Sequence, residues 1–310
     1  MIRGMCLWGS GRPGLAEPLA PEILAAAHPS LARDAAEFAP FVPERDDALF
    51  PGEAHELLRP QRDMGCDVLV CGSCGSALDV AWELVRRGAL PEWGSVLATA
   101  QTSGRGQLRR QWISPAGNLH AALLWPAVPE ASGFAPLLPL LAGYLLALSC
   151  EGFVALKWPN DLVWQGRKIG GLLVEERSGR CLVGIGLNLA EAPDPARLRD
   201  CFALPAACFR PGGRVLTPLS AWPGLVKRMK KEYETMLRES DPPRLLSLVR
   251  ERLAWMGRRV LVLEGNAAGF AATIAGLSPT GGLVLERDGR LEVLLSGSFV
   301  PLDGEGAPDS

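Results

Sequence analysis

Residues 157–175 read KWPNDLVWQGRKIGGLLVE. Pro159, Asn160 and Asp161 make a turn, and the apolar residues on either side of Gln165 and Gly166 make short strands that double back. Working outward, Val154 to Lys157, Asp161 to Trp164, Lys168 to Glu176 and Cys181 to Leu189 are four short strands separated by turn residues. Strands this closely spaced pair as antiparallel hairpins. They predict an α+β fold with a mixed or antiparallel central sheet and flanking helices.

Upstream, the pattern predicts strands over Asp67 to Cys71, Ser95 to Ala100 and Asn118 to Trp125, with a helix over Ser76 to Arg87. Leu137 to Cys150 is a 14-residue apolar run, too short for a membrane span and suited to a buried helix. Downstream, two amphipathic helices over Ala221 to Arg238 and Pro243 to Met256 precede strands at Arg259 to Leu263, Ala271 to Ala275, Gly282 to Glu286 and Leu291 to Leu295. Asp288-Gly289 is a hairpin signal, and the whole stretch predicts a small terminal β-barrel. Residues 1–63 carry prolines at 13, 18, 21, 29, 40, 43, 51 and 60, leaving room only for short helices such as Pro21 to Ala27. No well-patterned pair of helices suggests a helix-turn-helix there.

The charge balance excludes further classes. Lys and Arg total 32 against 34 Asp and Glu, a net charge of -2, so no cationic field draws the chain to nucleic acid or to a membrane surface. Eight scattered cysteines and the absence of a signal peptide point to a cytoplasmic protein rather than a secreted disulfide scaffold. Only His28, His55 and His120 are present, too dispersed for a histidine metal site. Cys66, Cys71 and Cys74 match part of an iron-sulfur spacing without a fourth ligand nearby; buried thiols explain them better than a metal or redox site.

Three segments carry chemistry. Gln101 to Trp112 holds Gly104 and Gly106 in a loop with Arg105, Arg109 and Arg110, cations that repel one another unless an anion is expected. Only five of the 32 basic residues are lysines, and two of them, Lys157 and Lys168, fall in neighbouring strands 11 residues apart. In a chain that writes arginine for almost every cation, these two suggest ammonium groups approaching a single oxygen, whereas Lys227, Lys230 and Lys231 read as surface cations of a helix. Asn160 and Asp161 lie close to both, either holding a magnesium-bound phosphate or capping the hairpin. Gly184 and Gly186 precede Asn188 on a strand, allowing close approach of a backbone or a flat ring.

In this order the segments resemble the biotin protein ligase family: GRGQLRRQWISPAGNL (104–119), KWPNDLVWQGRKIGGLLVE (157–175) and GIGLN (184–188). The resemblance runs from about Asp67 to the end of the chain. It implies a sheet like that of the class II aminoacyl-tRNA synthetases, with a C-terminal barrel like a Src-homology-3 domain. It implies a catalytic biotin- and ATP-binding domain over 64–256 and the barrel over 257–303, flanked by an N-terminal extension over 1–63 and a tail over 304–310.

The implied activity has two steps. Biotin and ATP, with Mg2+ carried by the nucleotide, form biotinyl-5'-AMP; a lysine of a biotin carboxyl carrier domain then takes the biotin. By the same resemblance, Lys168 lies at the reacting carboxylate and α-phosphate, Arg105 on a loop over the adenylate, and Lys157 at phosphate. Asp161 is implied at magnesium or at the incoming amine. Ser76, Ala77, Leu78, Gln101, Gly104, Gly106, Gln107, Arg110, Trp112, Asn160, Gly171, Gly184 and Gly186 are implied in ligand binding, and Asn188 at the adenine. A homodimer is left open; partnership with nucleic acid or membrane is not expected, nor is a repressor role.

The chain departs from the family pattern at four places. Ser76-Ala77-Leu78 stands where Ser-Thr-Asn is usual, removing a hydrogen bond to the ureido ring that typically contributes about 0.5–1.5 kcal/mol. Gln107 replaces the second arginine of Gly-Arg-Gly-Arg, Arg109 a later glycine, and His120 an aromatic residue. The loop is therefore expected to hold the adenylate less tightly. Two alternatives stay open: a ligase for lipoate or another acid, and a non-catalytic biotin-binding module, against which the paired lysines argue.

Overall fold

The computed structural model describes residues 1–46, 49, 55–107, 110–194, 204–263 and 269–302, so the expected tail over 304–310 and Arg109 lie outside it. The chain forms two units. The first is Met1–Ala127 with Leu172–Ala192 and Cys208–Lys230; the second is Val128–Gly171 with Pro193–Ala207 and Lys231–Ser310.

The first unit is built on a mixed sheet with strand order β2-β3-β1-β4-β5-β6-β10. Its strands are β1 (Met5–Trp8), β2 (Phe41–Asp46), β3 (His55–Pro60), β4 (Val68–Cys71), β5 (Ser95–Ala98), β6 (Leu119–Trp125) and β10 (Arg180–Leu187). β1 and β4 are parallel, as are β4 and β5, whereas β5/β6 and β6/β10 are antiparallel. Every residue of β1, β4, β5 and β6 is buried, and such strands read as continuous apolar runs rather than alternations.

Helix α3 (Ala77–Arg86) covers this sheet. Ser76 caps it by accepting the Leu78 N–H at 3.3 Å, and Ala77, Val80, Ala81 and Leu84 recur on one face at helical spacing and are buried. Burying Val80 and Leu84 contributes about 1.5–3 kcal/mol each. Asp79, on the opposite face, stays accessible.

Residues 1–63 differ from expectation. Pro21–Ala27 is helix α1 as predicted, but Pro29–Phe38 adds a ten-residue helix α2, and β1, β2 and β3 join the sheet. Pro29 stands at the start of α2 and Pro40 follows its end, so these prolines bracket the helix rather than break it. Pro43 sits in β2, an edge strand, where a missing N–H costs no ladder bond. α1 and α2 thus form a helix pair joined at His28, which the sequence pattern did not suggest. Asp34 of α2 is buried and accepts from Thr217 and from the backbone N–H groups of Leu219 and Ser220, capping helix α5 (Pro218–Glu239).

In the second unit, β7 (Ala155–Lys157) pairs antiparallel with β8 (Asp161–Trp164), and β8 with the first half of β9 (Arg167–Arg177). The apolar run is helix α4 (Leu138–Ser149), buried nearly all round, and α6 spans Pro242–Glu251. The terminal strands form a five-stranded antiparallel sheet in the order β14-β13-β12-β11-β15. They are β11 (Arg259–Leu263), β12 (Phe270–Leu277), β13 (Leu283–Arg287), β14 (Arg290–Leu294) and β15 (Ser298–Pro301), the last not anticipated. Asp288 and Gly289 both take positive φ, 51° and 75°, the tight hairpin turn that their sequence predicts. Among the described residues no helix is long and apolar enough to cross a membrane.

Candidate functional site

The glycine-arginine loop is assembled on the first unit. Gln101 accepts the N–H of Ala77 at 2.8 Å through its side-chain oxygen and donates to Ser114 Oγ at 2.8 Å through its amide, tying the loop to the start of α3. Gly104 leaves no room for a side chain, since a Cβ there would lie 2.5 Å from the Trp112 carbonyl oxygen. The Trp112 N–H donates to the Gly104 carbonyl at 2.9 Å, and Gly106 N–H to the Arg110 carbonyl at 2.8 Å, so the loop closes as a short ladder with Gln107 at its tip. Arg110 itself is exposed.

Arg105 is an anchored cation of the loop. Its Nη1 lies 2.8 and 2.9 Å from the two oxygens of Asp79, and its Nε and Nη2 lie 3.2 and 3.1 Å from Glu175 Oε1. Burial alone would lower the guanidinium's pKa; the hydrogen bond and charge of Asp79, with those of Glu175, outweigh it and leave the group above its ordinary value. Glu175 also accepts from Trp82 Nε1 at 2.8 Å and from Arg177 at 3.0 Å, and Arg177 stacks 4.7 Å over the Trp82 ring. The arginines of the loop were expected to wait for an external anion. In this structure the chain's own Asp79 and Glu175 supply carboxylates to Arg105, two residues that sequence spacing did not single out because they lie 26 and 70 positions away. A cleft of about 770 Å3 opens beside the same helix, bounded by Arg12, Asp79, Trp82, Glu83, Arg177 and Arg180.

Beneath the loop the two strand glycines receive side chains of this chain. A Cβ at Gly186 would lie 2.5 Å from the Trp112 indole, and one at Gly184 would lie 2.9 Å from Leu78. The flat ring that Gly186 admits is therefore Trp112, while Gly184 admits Leu78. Ser76, Ala77 and Leu78 are all buried, and Leu78 packs on Gly184. Asn188 is buried, with its carbonyl accepting from Phe209 N–H at 2.7 Å.

His120 lies opposite Gly186 in the sheet and is 2 % exposed. Its Nε2 meets the Pro115 carbonyl at 2.9 Å, which fixes the tautomer with the proton on that nitrogen. Burial holds its pKa down, to about 4, against the smaller opposing effect of that hydrogen bond.

The lysine pair is assembled on the second unit. Lys168 Nζ is 2.6 Å from Asp161 Oδ1, and Lys157 Nζ is 3.5 Å from Asp161 Oδ2. The hairpin makes this meeting: Lys157 pairs with Asp161 across β7/β8, and the register shift between Leu162 and Val163 sets Lys168 opposite Val163 and Gly171 opposite Asp161. Burial would raise the Asp161 carboxyl, but Lys168 and then Lys157 outweigh it and hold it below the usual carboxylate range. The Asp161 carboxylate thus lies between the two ammonium groups. Lys157 is 6 % exposed, whereas the Lys168 side chain is 28 % exposed and is the more accessible of the two to a ligand. Asn160 is buried in the turn. Trp158 donates its indole N–H to the Gly281 carbonyl at 2.9 Å.

Several of the cysteine thiols, Cys66 and Cys71 among them, are raised above their ordinary pKa. Cys71 and Cys74 are buried; the hydrogen bond of the Cys71 thiol with Cys74 and then burial raise Cys71 well above its ordinary value, and burial pushes Cys66 up to about 12. Among the described residues no group of three or more His, Cys, Asp or Glu side chains is placed to hold a metal.

Residues 76–190 match the biotin/lipoate A/B protein ligase family. A biotin–[acetyl-CoA-carboxylase] ligase of Paracoccus denitrificans is 35% identical over 133 residues, covering 40% of this chain and 55% of that protein, so the matched part spans about half of that relative. The bifunctional ligase/repressor BirA of Escherichia coli is 27% identical over 229 residues, covering 70% of this chain and 68% of that protein. Among solved structures, the biotin protein ligase from Aquifex aeolicus in complex with biotin and ATP superposes with a TM-score of 0.60 at 24% identity, covering 75% of this chain and 97% of that one. That likeness shows a shared fold.

Proposed function

Since residues 76–190 match the biotin/lipoate A/B protein ligase family, we propose that the chain is a biotin protein ligase that forms biotinyl-5'-AMP from biotin and ATP and transfers the biotin to a lysine of a carboxylase carrier domain. The observation that carries the reading is the Lys157–Asp161–Lys168 cluster, which gathers two ammonium groups on one hairpin and leaves that of Lys168 the more accessible. The first step brings a carboxylate onto a phosphate, two anions, and fixed cations that need no reorganisation lower that barrier. In this reading the biotin carboxylate oxygen attacks the α-phosphorus, pyrophosphate leaves, and Lys168 stands at the oxygens where negative charge crowds. A carrier lysine's neutral amine then attacks the acyl carbon, and AMP leaves with the bonding electrons.

Arg105 is proposed to serve the adenylate from the glycine loop, exchanging part of its carboxylate pairing for the ligand. Gln101, Gly104, Gly106 and Gln107 would line the biotin ring and tail, with Ser76, Ala77 and Leu78 beneath them. Arg110, Trp112, Asn160, Gly171, Gly184 and Gly186 complete the ligand-binding assignment, and Asn188 is assigned to the adenine. Catalysis is assigned to residues 64–256, in a cytoplasmic protein.

Magnesium would enter on the phosphates of ATP. Asp161 fits a metal ligand poorly, because both of its oxygens already face ammonium groups. Its proposed role is to orient the two lysines.

The buried Leu78, where the family has an asparagine, favours testing a second acid. The experiment is ATP–pyrophosphate exchange with biotin, lipoate or octanoate, repeated with Lys168→Ala. Exchange with biotin that the variant loses supports the reading. Exchange only with lipoate replaces biotin by lipoate, and no exchange with any acid removes the enzyme reading.

A further inference from the structure

Three consecutive residues of the lysine hairpin are each held by a different part of the C-terminal region. Leu156 exchanges backbone hydrogen bonds with the end of the segment that follows α6, its N–H donating to Arg252 at 2.8 Å and its carbonyl accepting from Ala254 at 3.0 Å. Lys157 places its Nζ 4.9 Å from the centroid of the Phe299 ring. Trp158 donates to Gly281, which takes φ +82° and has Leu137 and Leu140 each 3.0 Å from where a Cβ would stand, so the accepting carbonyl is fixed by packing.

Phe299 is itself immobilised. It lies on β15, is fully buried, and receives Trp255 edge-on with the ring planes at 88° and centroids 6.2 Å apart. An aromatic face carries the negative part of the ring quadrupole and attracts an ammonium group most strongly where water is excluded. Lys157 is nearly buried, its distance to Asp161 is long for a charge-assisted bond, and Asp161 is shared with Lys168 at a much shorter distance. The ring therefore adds electrostatic compensation to an ammonium group held almost entirely away from water.

We propose that Phe299 is a positioning residue of the ligase reaction, its ring face holding the Lys157 ammonium at the place where it meets the nucleotide phosphates. The inference rests on the ligase reading above, and it gives the C-terminal sheet a part in the chemistry through one side chain. A leucine at 299 fills similar space but has no quadrupole, whereas tryptophan keeps and strengthens it.

The test replaces Phe299 in the full chain by Leu, by Trp and by a series of phenylalanines carrying one to three ring fluorines, which keep the shape and progressively remove the negative face. In ATP–pyrophosphate exchange with biotin, Phe299→Leu should raise the KM for ATP about 5- to 30-fold with the KM for biotin unchanged. The fluorinated series should fall stepwise between wild type and Leu at constant Tm, and Phe299→Trp should stay within about twofold of wild type. Labelling the lysine ε-carbons with 13C gives five signals in this chain, and the Lys157 signal is assigned by its loss in Lys157→Arg. Its ε-protons, shifted upfield by the ring, should return toward the other four in Phe299→Leu, in protein without substrate.

A flat fluorination series in a wild-type-active enzyme, or a Lys157 signal that does not move, overturns the positioning role and leaves the ligase reading standing. Absence of exchange by the wild type with any acid overturns the ligase reading and the role of Phe299 with it, even where the Lys157 signal moves.

Discussion

The Nζ of Lys168 stands 2.6 Å from the Oδ1 of Asp161, within one hairpin whose sequence separation is seven residues. The carboxylate is held ionised by its ammonium neighbours, so it stays a charged partner that orients the lysine. Lys168→Ala should lower the rate of pyrophosphate exchange by about 100-fold or more, as loss of a fixed electrostatic group does. The side chain is 28 % exposed and the pair partly solvated, so folding stability should change by no more than about 1 kcal/mol. A large loss of stability in urea titration would make the residue a structural one.

Gln107 lies at the tip of the glycine loop, half-buried, where a second arginine is usual in the resembling family. Gln107→Arg should slow release of biotinyl-AMP by about 2- to 10-fold, the equivalent of one further hydrogen bond to a phosphate. Release of radiolabelled adenylate from the purified complex measures it, and an unchanged rate removes the expectation of a loosely held intermediate.

His120 and Asp34 give the first unit opposed pH dependences. The folded pKa of His120, about 4, is below its ordinary value of 6.5, so its contribution to stability is present above about 6.5 and lost as pH falls through 4, at most about 3 kcal/mol. Burial raises Asp34 from 3.8 to about 6, against hydrogen bonds from Thr217, Leu219 and Ser220, so its contribution is present below 3.8 and lost as pH rises through 6. Between pH 4 and 6 the two offset each other. Asp34→Asn should therefore lose stability more steeply than wild type on acidification from pH 6.5 to 4, and His120→Phe less steeply. Urea midpoints at several pH values decide this, and parallel curves for all three proteins would refute it.

An escaping adenylate acylates exposed amines. Lys227, Lys230 and Lys231 are exposed on α5, whereas Lys157 is buried and Lys168 paired. Incubation with biotin and Mg-ATP in the absence of carrier should place biotin on the three helix lysines, read by peptide mass spectrometry. Label confined to Lys157 or Lys168 would contradict the accessibility argument.

Much of the fold between residues 64 and 302 was legible in the sequence because its signals are local. Ser76 before an apolar helix face, the Asp288-Gly289 turn, the buried run of α4 and the four hairpin strands each state their conformation within a few residues. The strands of the first 60 residues were not legible. β1 is four residues long, and β2 is mostly exposed and carries a proline, so neither shows the alternation that marks a strand. Both are strands because neighbours distant in sequence complete their hydrogen bonds: β4 beside β1, and β3 beside β2.

The candidate site divides in the same way. The sequence by itself determined the chemistry on offer: two lysines selected out of an arginine-rich chain, a glycine-arginine loop, and glycines where a flat group must approach. Residue type and spacing carry that information, because charge and the absence of a Cβ are properties of single positions. Only the tertiary structure decided the partners. Asp79 and Glu175 converge on Arg105, Trp112 fills the space over Gly186, and Phe299 comes within 4.9 Å of Lys157 from 142 positions away. Long-range pairing depends on how the two faces of a sheet and the ends of a chain are brought together, and no local pattern encodes it.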